Sequence, residues 1–389
     1  MSKFRMLPTH PSANSMDKDD RPMEIHREIV ESIDSGCRFA LALILKAEGS
    51  TPREAGVKAI IDDTGKIRGT IGGGDVEAEA QHRAIEACES GRPVVFDINL
   101  HESVDAGPIC GGSMRILIDP TAAKDREFYA RAAEALERRQ RGVLLTTVRI
   151  GAETDVTVEW YPEERDKNGV QSTRSRTDSL GTVPIFPDAE TIRSCLARER
   201  ARLFVADSSG PDVSTEALVQ PIIPRPVLLI VGGGHVGQAL ARQAVLIGFD
   251  VAVVDDRPEF ANPARFPKGV TTRCADIART VADFPICKDT YVVIVTRAHK
   301  HDEEALKACI HAPAAYIGMI GSKRKVELIR KNIIESGVAT EEELDRVFAP
   351  IGLDIGAVTV PEIATSIVAQ LTAVRRRGDG PAAAGMMSG

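Results

Sequence analysis

Residues 227–256, VLLIVGGGHVGQALARQAVLIGFDVAVVDD, constrain the fold more than any other part of the chain. An apolar run leads into three glycines with the spacing G-x-G-x-x-G, Gly232, Gly234 and Gly237, and a helical segment and a second apolar run follow. The first glycine permits a tight turn, the second lets the backbone approach a pyrophosphate, and the third lets helix and strand pack closely. The stretch therefore predicts a dinucleotide-binding strand–helix–strand unit.

Two acids, Asp255 and Asp256, end the second apolar run, where an acid is expected to hold a ribose diol. Arg257 beside them leaves NADP open as well as NAD. Any nucleotide joined through a pyrophosphate would meet the same geometry. His235, within the loop, is expected either to donate to a phosphate or metal-bound oxygen or to cap the turn.

Strand-like and helix-like segments alternate from residue 225 to 377, which predicts a Rossmann-like, doubly wound parallel sheet. Residues 23–224 predict a separate N-terminal α/β domain without a nucleotide fingerprint. The proline-rich connector PIIPRP places the boundary at about residue 224, because proline favours extended backbone. Residues 1–22 and 378–389 are expected to be a disordered leader and tail.

Loops after later strands supply further candidates for cofactor contact. TRAHKHDEE offers Arg297 and His299, a guanidinium and an imidazole suited to anion recognition, while Asp302 is expected to be the N-cap of the next helix. The loop YIGMIGSKRK adds Gly318, Ser322 and Lys323. The Ser322 hydroxyl is expected to cap a helix, and Lys323 is either a cofactor contact or part of a solvated basic turn.

Composition narrows the classes of function. The net charge of −7 argues against non-specific nucleic-acid binding, which needs a basic surface. No apolar run approaches the roughly 20 residues of a membrane span, and the N-terminus lacks the apolar core of a signal peptide. The seven scattered cysteines show no CxxC pair or zinc-type spacing. We expect a cytoplasmic protein without a membrane or nucleic-acid partner.

Eight segments together resemble the XdhC/CoxI family, the maturation factors of xanthine dehydrogenase and carbon monoxide dehydrogenase. The likeness covers roughly residues 23–377, and its order of motifs is more specific than the glycine loop alone. The segments are GSTPREAGVKAII, GTIGGGDVEAEA, GPICGGSMRILIDP, IPRPVLLIVGGGHVGQALA, VDDRPEFANPARFP, TRAHKHDEEAL, YIGMIGSKRKV and PIGLDIGAVTVPEIATSI.

The resemblance implies a chaperone for the molybdenum cofactor, either molybdopterin or its cytosine dinucleotide. Such a protein protects the cofactor, supports its sulfuration and inserts it into an apo xanthine dehydrogenase-type molybdenum hydroxylase. A cysteine desulfurase is the implied sulfur donor, and a homodimer is compatible with the role. The pyrophosphate cradle of the glycine loop suits this dinucleotide as well as NAD.

The resemblance also singles out residues of the N-terminal domain. GPICGG matches a family pattern, and Cys110 within it is either a sulfur or molybdenum contact, for which a thiolate is a suitable soft ligand, or a buried structural thiol. Arg53 in GSTPREAG is either an anion ligand or a surface charge. Asp75 stands where many relatives carry cysteine, which weakens a two-cysteine mechanism and predicts a helix N-cap there.

Two other functions stay open from the residues. One is an NAD(P)-dependent oxidoreductase in which His299 or Lys323 serves as acid or base. The other is a regulatory module that senses NAD. The fold alone does not decide among them, because one fold hosts many functions.

Overall fold

The computed structural model describes residues 24–100, 111–163, 188–206 and 213–378. These residues form two compact units, and the chain passes from one to the other between Pro224 and Arg225. The predicted leader, and the predicted tail apart from Gly378, lie outside the described residues.

The N-terminal unit contains a five-stranded antiparallel sheet in the order β3-β2-β1-β5-β4. A hairpin joins β2 to β3 across Thr64 and Gly65, where Gly65 has a φ of 84°, which favours glycine. The strands are β1 (Phe39–Glu48), β2 (Lys58–Asp62), β3 (Ile67–Gly69), β4 (Val94–Asn99) and β5 (Ser113–Asp119).

A second antiparallel sheet of the same unit has the order β7-β6-β9-β8. Its strands are β6 (Gly142–Ile150), β7 (Asp155–Pro162), β8 (Arg202–Ala206) and β9 (Ser214–Ile222). The helices of the unit are α1 (Ile25–Asp34), α2 (Gly74–Ser90), α3 (Arg126–Glu137) and α4 (Ala189–Arg198).

The C-terminal unit is built on a six-stranded parallel sheet in the order β12-β11-β10-β13-β14-β15. This is the strand order of a Rossmann fold, with the reversal between β10 and β13 that creates a ligand crevice. The predicted α/β class is confirmed. The strands are β10 (Val227–Val231), β11 (Asp250–Asp255), β12 (Thr271–Cys274), β13 (Thr290–Ile294), β14 (Tyr316–Met319) and β15 (Val347–Phe348).

Helices cover both faces of this sheet, which explains why its central strands are apolar without interruption. Leu229 and Val231 face one core, and Leu228 and Ile230 face the other. The helices are α5 (His235–Leu246), α6 (Ile277–Ala282), α7 (His299–Cys309), α8 (Lys323–Glu335), α9 (Glu341–Leu344) and α10 (Val360–Arg377). Across the described ranges, none of the helices is both long and apolar enough to cross a membrane.

Candidate functional site

Two glycines of the G-x-G-x-x-G motif are required by the packing of the chain itself. Gly232 follows β10 with a φ of 116°, and a Cβ there would press against the Val295 carbonyl at the end of β13. A Cβ at Gly237 would fall on the Gly232 carbonyl oxygen. These two glycines let the loop turn sharply and let α5 start close against the sheet.

Gly234 has different surroundings. Its φ of −64° suits any residue, and a Cβ there would meet no atom within 4 Å. Gly234 is also the N-cap of the 12-residue helix α5 and makes no side-chain cap. Because the first amides of a helix lack intrahelical acceptors, the open space here is a cradle suited to a phosphate. His235, the first residue of α5, is exposed beside this cradle.

Asp255, at the end of β11, is buried and engaged by its own chain. Its carboxylate accepts a hydrogen bond from the Gly233 N–H at 2.8 Å. It also accepts hydrogen bonds from Arg257 Nε and Nη2 at 2.9 and 3.0 Å. Burial alone would raise the pKa of Asp255, but these hydrogen bonds lower it below its ordinary value. Arg257 also lies over the Phe260 ring at 3.6 Å. Asp255 therefore ties the glycine loop to β11.

Asp256 is the more accessible of the two adjacent acids, with 31% of its side chain exposed. Its Oδ2 lies 3.5 Å from Arg297 Nη2 and 4.0 Å from His301 Nε2. Since Asp256 follows β11 and Arg297 follows β13, the fold brings these predicted residues together at the edge where the glycine loop lies. The arrangement offers a carboxylate to a ribose and a guanidinium to an anion.

Asp302 holds the loop that carries Arg297. The prediction that Asp302 is an N-cap is wrong: α7 begins at His299, so Asp302 lies in its first turn with no exposed surface. Its carboxylate accepts the Thr296 N–H at 3.1 Å, the Thr296 hydroxyl at 2.7 Å, and Lys325 Nζ from α8. His299, at the start of α7, is exposed.

The three predicted residues of the next loop have separate positions. Gly318 lies inside β14, where a Cβ would strike Tyr316 and Ile351, so packing requires glycine there. Ser322 is the N-cap of α8 and accepts the Lys325 N–H at 3.3 Å, which confirms the predicted cap. Lys323, the first residue of α8, is exposed.

Cys274 is a thiol at the same edge that the sequence patterns do not indicate. It ends β12, pairs in register with Asp255, and its Sγ lies 3.7 Å from the Asp256 carbonyl oxygen. Its side chain is exposed. The surrounding segment TTRC is short and polar, so only the register of the sheet places it beside the two acids.

Family models match both units of the chain. The XdhC Rossmann domain matches residues 228–371, and the XdhC and CoxI family model matches residues 32–99. The chain belongs to the XdhC/CoxI family.

Two curated relatives resemble this XdhC/CoxI protein over most of its length. YqeB of Escherichia coli is 28% identical over 92% of the chain, although the chain spans only 47% of YqeB. The molybdenum cofactor insertion chaperone PaoD of Escherichia coli is 24% identical over 90% of the chain and 88% of PaoD. The second likeness covers nearly all of both proteins.

A solved structure shares the fold of this XdhC/CoxI protein. It is described as a xanthine dehydrogenase from Bacillus halodurans, is 22% identical, and covers 92% of this chain and 98% of its own with a TM-score of 0.63.

The predicted residues of the N-terminal unit of this XdhC/CoxI protein are only partly described. Arg53 is exposed in the loop after β1. The predicted cap at Asp75 is wrong, because Gly73 is the N-cap of α2 and Asp75 lies in its first turn. Glu77 instead accepts the Gly73 N–H at 3.0 Å.

Cys110 lies outside the described residues. Among the residues that the structure does describe, no group of three or more His, Cys, Asp or Glu side chains is arranged to hold a metal ion. The assignment of Cys110 as a sulfur or molybdenum contact therefore stays a prediction.

Proposed function

We propose that this protein is a maturation factor that binds the molybdenum cofactor and delivers it to a xanthine dehydrogenase-type molybdenum hydroxylase. The observation that carries the proposal is the open cradle at Gly234, where the protein itself does not require glycine. The likeness to PaoD, a molybdenum cofactor insertion chaperone, over 90% of this chain and 88% of PaoD supports this choice of cargo.

The residues at the sheet edge have distinct roles in this proposal. The amides at the start of α5 hold a phosphate of the cofactor, and Gly234 keeps that space clear. Asp256 accepts hydrogen bonds from a ribose if the cargo is the cytosine dinucleotide. The Arg297 guanidinium pairs with negative charge on the cofactor. Asp302 and Lys325 fix the loop that presents Arg297.

The finer steps are proposals that rest on family membership. We propose that Cys110 contacts molybdenum or the incoming sulfur. A cysteine desulfurase supplies that sulfur in this proposal. Residues 23–224 and residues 225–377 are proposed to act as separate domains. We also propose the exposed residues His299, His235, Lys323 and Arg53 as cofactor contacts. For Gly318, packing inside β14 accounts for the glycine without a cofactor. A homodimer is compatible with the role.

A transfer assay tests the proposed function. Protein isolated without oxygen from a molybdenum-replete host is mixed with purified apo-hydroxylase, and the hydroxylase activity that appears is measured. The carrier function predicts activation in proportion to the carrier added, and much less activation by a Gly234→Ser carrier prepared in the same way. Activation by Gly234→Ser equal to that of wild type would contradict the role of the cradle.

An NAD(P)-dependent oxidoreductase or an NAD-sensing regulatory module is the competing function, since the cradle and Asp256 also suit NAD. Tight NADH binding by a protein that never carries molybdenum or pterin would favour that alternative.

A further inference from the structure

A cavity of about 540 Å³ lies in the N-terminal unit. The glycine loop belongs to the C-terminal unit. Strands of both sheets line it: β1, β4 and β5 from one, and β8 and β9 from the other. The volume lies in the range of small-molecule sites, about 300–1,000 Å³. Its wall includes Ser113, three residues after Cys110 in the sequence.

A fixed guanidinium lines this cavity. The Arg115 Nε–H donates to Glu216 Oε2 at 3.0 Å, and its Nη1–H donates to Asp97 Oδ2 at 2.6 Å. Its Nη2 atom lies 2.9 Å from Glu216 Oε1. Only 7% of the Glu216 side chain is exposed. Burial alone would lower the pKa of Arg115, but the two carboxylates raise it. The planar Arg115 guanidinium therefore stays charged. The two carboxylates hold its edge, and its flat face can stack against a ring.

Two mostly exposed carboxylates also line the cavity. The Asp97 side chain is 60% exposed and that of Glu48 is 59% exposed. Lys46 Nζ lies 2.8 Å from Glu48 Oε1 and adds an ammonium group. Carboxylates accept adjacent N–H groups in pairs, and an ammonium donates to a carbonyl oxygen. The lining therefore suits a flat heterocycle with neighbouring N–H donors and an oxo group.

We infer that this cavity binds the pterin ring of the cofactor through its 2-amino-4-oxo edge. Asp97 and Glu48 accept from the amino group and the ring N–H, Lys46 donates to the oxo group, and Arg115 stacks on the ring face. The inference rests on the proposed function, which makes a pterin the cargo. Guanine presents the same edge, but the glycine loop already provides a place for a nucleotide.

Direct titration of the full-length protein with free ligands tests the assignment. The probes are pterin, lumazine, in which an oxo group replaces the 2-amino group, and guanosine. We expect pterin to bind at least about tenfold more tightly than lumazine, which lacks the 2-amino group, and no more weakly than guanosine, which presents the same edge. Asp97→Asn and Glu48→Gln are each expected to weaken pterin binding about tenfold. Asp155→Asn, a matched change at a 66% exposed carboxylate paired with Lys124, should leave it unchanged.

Three results would overturn the assignment: no pterin binding, equal binding of pterin and lumazine, or tighter binding of guanosine than pterin. Pterin affinity unchanged in both carboxylate variants would also overturn it, provided that thermal unfolding shows both to be folded. Protein that carries molybdenum normally but gives one of these results loses only the cavity assignment. Carboxylate-dependent pterin binding by protein that never carries molybdenum would instead contradict the proposed function.

Discussion

The Gly233 N–H donates to the Asp255 carboxylate over 2.8 Å, which joins the middle of the glycine loop to the end of the neighbouring strand. The same carboxylate accepts three hydrogen bonds from Arg257. One of the two adjacent acids thus maintains the loop, and the other, Asp256, faces outward from it. Substitutions of Asp255 and Asp256 should therefore have different effects.

Asp255→Asn should lower the free energy of unfolding by about 2 kcal/mol, because a buried, charge-assisted set of hydrogen bonds is lost. Asp256→Asn should leave stability within about 0.5 kcal/mol, as expected for a partly exposed surface change. Urea unfolding followed by circular dichroism measures both. A loss for Asp256→Asn as large as that for Asp255→Asn would contradict the assignment.

Asp256→Asn should also weaken binding of cytidine diphosphate, a probe that carries both ribose and pyrophosphate. We expect a loss of about tenfold by isothermal titration calorimetry, which corresponds to about 1.4 kcal/mol, near the lower end of the contribution of a hydrogen bond to a charged group. Asp283→Asn, at a 54% exposed carboxylate of the same unit, is the matched control and should bind the probe normally. Equal affinities of the two variants would exclude Asp256 from the site.

Gly234→Ser and Gly237→Ala should have opposite consequences. Serine is a good N-cap, and its side chain would enter open space, so stability should be unchanged or slightly higher. The same side chain would fill the cradle and weaken cytidine diphosphate binding at least tenfold. Alanine at position 237 would strike Gly232 and lower the melting temperature by several degrees. Thermal unfolding and calorimetry separate the outcomes, and a destabilised Gly234→Ser protein would count against an open cradle.

Asp302→Asn should destabilise the protein by about 3 kcal/mol, because Lys325 would lose the carboxylate partner of a largely buried ion pair. Replacing both partners, with Lys325→Met added to Asp302→Asn, should cost less than the sum of the single changes. A urea-unfolding double-mutant cycle measures the coupling. Strictly additive losses would show that the pair does not act as a unit.

Lys58 makes the stability of the N-terminal unit depend on pH. It lies on β2 beside Gln220 and His26, and burial lowers its pKa from 10.5 to about 7, while Glu24 acts in the opposite direction. Between these values the unfolded chain holds the proton and the folded protein releases it, so this contribution to stability rises with pH. Below about pH 7 both states are protonated, and the cost of burying the charge is constant.

Lys58→Met should therefore be more stable than wild type at pH 6, with the difference narrowing towards pH 9.5. Lys46→Met, at a half-exposed lysine of β1, should show no such trend. Urea unfolding across that range measures the free energies. A constant difference between Lys58→Met and wild type would contradict a neutral Lys58 at high pH.

Local patterns were sufficient to predict the Rossmann unit. The strand, glycine loop and helix follow one another along the chain, and glycine spacing directly reports close backbone approaches such as Gly237 on Gly232. The Ser322 cap is likewise a local feature, since its acceptor serves an amide three residues away.

Features that depend on tertiary contacts escaped prediction. Asp302 has the local sequence of an N-cap, but α7 starts earlier in the chain. The buried Asp302 carboxylate instead accepts hydrogen bonds from Thr296 and Lys325. Asp255 and Asp256 are indistinguishable in sequence, and only the pairing with Gly233 separates them. The short edge strand β12 has no apolar run to reveal it.

The cofactor content of the purified protein distinguishes a carrier of the molybdenum cofactor from an NAD-binding protein. The protein would be expressed in a molybdenum-replete host and purified without oxygen, and its molybdenum and pterin would be quantified together with those of Gly234→Ser. We predict near-stoichiometric molybdenum and pterin in wild type and a large loss of both in Gly234→Ser. Wild-type protein free of both, yet able to bind NADH tightly, would contradict the carrier function.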